Sequence, residues 1–241
     1  MTGRLYLGTS GFAYKEWKGS FYPADLKDVD MLPFYASRFP TVEINYTFRR
    51  QPTETTLANW RSRTPEDFRF GLKAHQRITH RLRLKDAGES VKFFLDRVVT
   101  LGHRLGPILF QCPPSLAYDR DTLERFLDAL PSGHRFAFEF RHPSWTDGQA
   151  LLADRDAAWC VAETDDHPAP PGPLPRGPFV YLRLRKERYD DDELKAWAGR
   201  IGQAVAEGRE VFCYFKHEEK DTGVVFAERM SELMELSAGP A

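Results

Sequence analysis

Two glutamates and four cations stand out for what they could do together: Glu43 in VEINY, Glu139 in FEFRH, and Lys73, Arg141, Arg183 and Lys216. Two carboxylates whose surroundings push their pKa values apart can serve as acid and base, which makes Glu43 and Glu139 catalytic candidates. Lys73 joins them, because a lysine desolvated among other cations can act as an amine nucleophile. Its other role is to anchor an anion. A guanidinium fork binds two oxygens of a phosphate or carboxylate at once, so Arg141 and Arg183 read as clamps. Two carboxylates cannot neutralise four cations in a low-dielectric cavity, and an anionic ligand is the natural missing partner. Hydrolysis of a phosphate ester or phosphodiester suits such a set, since positioning and charge stabilisation carry that chemistry.

These residues can meet only if the chain brings distant segments together. Short runs rich in aromatic and β-branched residues alternate with longer amphipathic stretches, the pattern of repeated βα units around a parallel sheet. Strands are expected near Leu5–Gly8, Thr41–Asn45, Arg69–Lys73, Pro107–Gln111, Arg135–Glu139, Ala158–Ala162, Phe179–Arg183 and Val211–Phe215. Helices are expected near Val29–Phe39, Thr53–Arg63, Val91–Leu105, Arg120–Ala129, Asp190–Glu207 and Asp221–Leu236, with Asp121, Asp191 and Asp221 in or near opening turns. Eight strands in this order predict a single (β/α)8 barrel of the TIM type, α/β in class and one domain over residues 1–241. The sixth unit is irregular. Its PAPPGPLPRGP segment, Pro168–Pro178, lacks the amide hydrogens a helix needs, so an extended crossover is expected there.

Strand alternation then acts as a filter, because residues two apart share a face and catalytic groups in such barrels come from the carboxyl-terminal strand ends. With Val42, Ile44, Phe136, Phe138 and Phe140 facing the helices, Glu43, Asn45, Glu139 and Arg141 point inward. The same parity adds Ser10, Lys73, Gln111, Tyr181, Arg183, Tyr214 and Lys216. From these, an anion pocket at that barrel end is expected, with Ser10, Asn45, Gln111, Arg141, His142, Trp145, Tyr181, Arg183 and Lys216 as ligand contacts. The competing reading of each Glu–Arg pair is a structural ion pair at a strand end.

Composition narrows the class. With 41% hydrophobic and 29% charged residues the chain is an ordinary globular one, and a net charge of −1 supplies no global field for a polyanion. Cys112, Cys160 and Cys213 sit far apart in apolar runs, which predicts buried reduced thiols. MTGRLYLGTSG lacks the apolar stretch of a signal peptide and no window approaches a membrane span, so a cytoplasmic protein without a membrane partner is expected.

Five strings also carry a resemblance: GTSGFAYKEWKGSFYP from Gly8, VEINYTFRR from Val42, KAHQRITH from Lys73, QCPP from Gln111 and EFRHPSW from Glu139. Together they closely resemble the YecE-like family, domain of unknown function 72. The resemblance implies a TIM-type barrel and no established activity. Phe12, Arg49 and the stretch Phe215–Glu218 depart from the family pattern and could retune a ligand.

Two alternatives stay open beside the hydrolase. Phe12, Tyr14, Trp17, Tyr22, Phe48 and Trp145 lie near the same cations, a mixture that suits a non-catalytic binder of nucleic acid or nucleotide. Those rings could equally be packed as a plug. The other is a metal-dependent sugar isomerase or endonuclease-like enzyme drawing on His75, His80, His142, His217, Glu43, Glu139 and Asp165. None of these has a diagnostic metal spacing, so no cofactor is expected and a divalent metal is not the favoured reading. The residues do not fix an oligomeric state.

Overall fold

The computed structural model describes residues 3–216 and 221–238. Its strands β1 (Arg4–Ser10), β2 (Thr41–Ile44), β3 (Arg69–Lys73), β4 (Leu105–Gln111), β5 (Phe136–Glu139), β6 (Ala157–Glu163), β7 (Val180–Leu184) and β8 (Glu210–Phe215) follow one another as a closed barrel. Each overlaps its expected span. Among the described residues the helices are α1 (Met31–Ala36), α2 (Glu54–Ser62), α3 (Gly88–Val98), α4 (Arg120–Asp128), α5 (Gln149–Ala153), α6 (Asp191–Ala206) and α7 (Thr222–Ala238). The fold is the (β/α)8 barrel of TIM type. Between β6 and β7, residues 164–179 contain no helix, as the run of prolines requires. Side chains fix this crossover instead: Ala169 N donates to Glu163 Oε1 at 3.4 Å, and Arg200 Nη2 donates to Pro170 O at 3.1 Å.

By contact density the chain divides into two compact units, Met1–Glu43 with Val161–Leu174 and Phe179–Ala241, and Ile44–Cys160 with Pro175–Pro178. In the first, β8, β1 and β2 pair in parallel, as do β7 and β8. Residues of one parity build layers along the strands. Tyr6 stacks on Phe212 at 4.6 Å and Phe179 meets the same ring edge-on at 5.8 Å. One step further Tyr181 and Tyr214 lie 5.4 Å apart, and the step after that holds Ser10, Glu43 and Arg183. Gly8 lets β1 approach β2 this closely: a Cβ there would sit 2.1 Å from Thr41 O.

In the second unit β3 to β6 pair in parallel. Their helix-covered face is aromatic, with Trp60 of α2 stacked on Phe70 at 5.3 Å and Phe126 of α4 edge-on to Phe110 at 5.2 Å. The alternate face carries small residues, Gly71, Ala137 and Ala158, and then Lys73, Gln111 and Glu139 at the carboxyl ends of β3, β4 and β5. Cys112, Cys160 and Cys213 are buried free thiols. Among the described residues no helix is long and apolar enough to cross a membrane.

Helix starts follow local chemistry. Asp121 and Asp191 lie in first turns as expected, but the capping side chains sit just before them: Thr53, Asp119 and Asp190 accept from backbone amides of α2, α4 and α6. At α6 the box is reciprocal, with Glu193 N donating to Asp190 Oδ1 at 2.8 Å and Asp190 N donating to Glu193 Oε2 at 3.0 Å. Replacing Asp190 by alanine is expected to lower unfolding free energy by about 1 kcal/mol in urea titration, whereas Asp190→Asn should cost only about a few tenths. Equal losses for both would contradict the capping role.

Candidate functional site

In the first unit the inward layer ends in one closed network. Glu43 Oε1 accepts from Ser10 Oγ at 2.6 Å and from Arg183 Nη2 at 2.8 Å, while Oε2 accepts from Tyr181 Oη at 2.7 Å. Glu43 is 0% and Arg183 1% exposed. Burial alone would raise the Glu43 carboxyl, but the Arg183 guanidinium and the hydrogen bonds from Ser10, Arg183 and Tyr181 outweigh it and hold the group below its ordinary value. It is therefore a carboxylate at neutral pH with donors on both oxygens. Below it Tyr214 Oη and Thr41 Oγ1 share a hydrogen bond of 3.0 Å. The segment 12–22 packs over its own rings: Trp17 and Tyr22 are 1% exposed, Tyr14 Oη donates to Ser10 O, and Tyr22 Oη donates to Phe12 O.

The second unit assembles a different group. Lys73 Nζ donates to Gln111 Oε1 at 2.6 Å and lies 4.1 Å from the centroid of the Phe48 ring. The Phe48 ring in turn meets His80 edge-on at 4.8 Å. Arg141 Nε donates to Glu139 Oε1 at 2.9 Å; the carboxylate is buried and the guanidinium half-exposed. His80 is partly buried, and desolvation first, then the nearby charges of Lys73 and Arg141, push its pKa below the ordinary histidine value. At neutral pH it is an uncharged imidazole beside two cations. Its Nδ1 shares a 2.8 Å hydrogen bond with Thr79 Oγ1.

Local backbone explains the placement. Asn45 leads into a short 3-10 helix, Tyr46–Phe48, which Thr47 anchors by donating to Lys73 O at 2.6 Å. After β3 the chain makes a π-helical turn, Arg77–Arg81, a wide turn that recurs at functional sites and here carries Thr79 and His80. Arg141 follows β5 by two residues and folds back onto the last residue of that strand.

The sequence-predicted set thus divides. Ser10, Glu43, Tyr181 and Arg183 form the buried network of the first unit, and Lys73, Gln111, Glu139 and Arg141 gather in the second. Asn45 begins the 3-10 helix, and Lys216 follows β8 with its amide donating to Leu184 O at 3.0 Å. His142 caps the 3-10 helix Pro143–Gly148 through its ring, accepting from Ser144 N and sharing a hydrogen bond with Ser144 Oγ. Trp145, expected as a ligand contact, is instead packed: it is 2% exposed, stacks on Phe140 at 3.7 Å and donates Nε1 to Leu116 O. Phe48 and His80 enter the charged group as neighbours of Lys73; the string KAHQRITH put His80 within reach, but only the π-turn aims it.

Among the described residues no three His, Cys, Asp or Glu side chains gather in a way that could hold a metal ion. His75 accepts from Arg77 N, and Asp165 accepts from Glu187 N. His217 lies outside the described residues.

Residues 6–240 match the family described as protein of unknown function DUF72. YecE of Escherichia coli K12 is 30% identical over 142 residues, 58% of this chain and 50% of that protein, so the chain spans about half the length of the Escherichia coli relatives it matches. YunF of Bacillus subtilis is 24% identical over 280 aligned positions, covering 96% of this chain and 95% of YunF. A crystal structure of a DUF72 family protein from Thermotoga maritima superposes with a TM-score of 0.85 at 26% identity, covering 96% and 99% of the two chains. The chain belongs to the DUF72 family.

Proposed function

We propose that this chain binds a phosphate ester or phosphodiester at Lys73, His80 and Arg141 and hydrolyses it. The carrying observation is the grouping of Lys73 and His80 about the Phe48 ring, with Arg141 near enough to act electrostatically on His80 and with Glu139 already engaged by Arg141. A phosphoryl group placed there meets a lysine point charge, the exposed part of a guanidinium and a ring nitrogen together. In the reaction, water attacks phosphorus, a P–O bond to the ester oxygen breaks, and His80 takes the proton from the water and returns it to the departing oxygen. Lys73 and Arg141 stabilise the charge on the non-bridging oxygens. Glu139 orients Arg141, and Gln111 with the Phe48 ring orients Lys73.

Glu43 and Arg183 hold strands rather than substrate in this reading, since both Glu43 oxygens already accept from buried donors.

On a phosphodiester such as bis(p-nitrophenyl) phosphate, Lys73→Met and Arg141→Ala are each expected to lower kcat/KM by about 10- to 100-fold, and His80→Ala to lower kcat by about 100-fold or more. Absence of turnover on phosphomonoesters and phosphodiesters alike would overturn the hydrolase.

Binding itself is read at the histidine. An anion favours imidazolium, so the His80 pKa rises in the complex. Sulfate, doubly charged throughout, should bind more tightly as pH falls through the histidine range, and His80 resonances should shift on titration. Unchanged His80 resonances at saturating sulfate would remove the anion site.

The buried pair is separable. Glu43→Gln strands the Arg183 charge and is expected to cost about 3–5 kcal/mol in urea unfolding, while Glu43→Leu with Arg183→Met recovers much of that loss. Because the Glu43 pKa is lowered on folding, its contribution is present above the ordinary glutamate value and disappears as pH falls through the folded one. A Glu43→Gln protein with undiminished stability would contradict this role.

A further inference from the structure

Resting on that anion-site reading, we infer that the ligand is a stretch of single-stranded polynucleotide, whose neighbouring phosphates are held by Arg49, Arg50 and Arg81 and one of whose bases stacks on Tyr46. All three arginines are exposed and continue the backbone segments that build the site. Arg49 and Arg50 directly follow Phe48, the ring beneath Lys73, and Arg81 directly follows His80 at the end of the π-turn. Among the described residues the guanidinium of none of the three makes a hydrogen bond or ion pair, whereas other surface arginines, including Arg38, Arg97, Arg120 and Arg229, are paired with carboxylates. Like charges carried on the segments that place Phe48 and His80 add to the repulsion between Lys73 and Arg141, and a chain with net charge −1 gains nothing globally from them. A ligand carrying several regularly spaced negative charges removes that repulsion.

The aromatic residue chooses among polyanions. Tyr46, on the same 3-10 helix, is 45% exposed, one of few large rings so presented. A tyrosine face beside arginines is a stacking platform for an unpaired base, which duplex DNA withholds and an acidic peptide lacks. Phosphate contacts would supply affinity and the ring would supply preference for single strands.

The test uses fluorescein-labelled oligothymidylates of about 2, 4, 8 and 12 nucleotides and a duplex of the longest, measured by anisotropy at several salt concentrations. Affinity should climb from the dinucleotide to the octamer, and single strand should exceed duplex. The Arg49→Ala, Arg50→Ala, Arg81→Ala triple variant should lose about 10- to 100-fold for the octamer and flatten the slope of log affinity against log salt by about 2. Tyr46→Ala should lose about 5- to 100-fold. In the triple variant sulfate should still shift His80 resonances, so the anion site stands or falls separately. Affinity independent of length, a triple variant that binds the octamer unchanged, a preference for duplex, or equal competition by polyglutamate of matched charge would each overturn the inference. The last would assign the surface to an acidic protein.

Discussion

A charge placed on the inner face of a parallel strand has no bulk water to solvate it, so it must find its compensation among side chains from other strands or from a guest. This constraint governs both charged groups of the molecule, and they meet it differently. Around Glu43 a guanidinium, a phenol and a hydroxyl converge on both carboxylate oxygens, and Glu43 and Arg183 are buried. Around Lys73 the partners include an amide oxygen and the face of a phenyl ring, and the second cation stays half-open to solvent.

In the proposed reading that difference separates structure from function. A sealed ion pair contributes specificity of strand pairing and suffers greatly if one member is removed, while offering nothing to a ligand. A pair of partly exposed cations near a neutral imidazole would, in the proposed reading, behave in the opposite way: a bound anion would strengthen it. In the proposed reading His80 serves as reporter and proton carrier at once, because burial and the charges of Lys73 and Arg141 depress its pKa in the free protein and a bound anion would offset the two charges.

Much of this could be read in the chain. The strands were visible because buried parallel strands are written as short aromatic and β-branched runs, and the sixth crossover because proline cannot donate the hydrogen bonds of a helix. Strand alternation was enough to pick Glu43, Glu139, Lys73 and Arg183 from a sequence with many charges. It could not say which charge meets which. Glu43 and Arg183 are 140 residues apart, and their pairing depends on strand neighbours, not on any local pattern. His80 and Phe48 were harder still, since a π-turn and a 3-10 turn set their aim and neither has a dependable sequence mark. Trp145 shows the converse failure: lying near cations in sequence, it is taken up by Phe140 and a backbone carbonyl.

The proposed function requires that Lys73, His80 and Arg141 together take an anion. Crystals grown with selenate, examined for anomalous scattering at the selenium edge, measure this directly. The expected result is a selenium peak whose oxygens lie within hydrogen-bonding distance of Lys73 Nζ, Arg141 and His80 Nε2; selenate bound only elsewhere, with these three side chains turned apart, would contradict it.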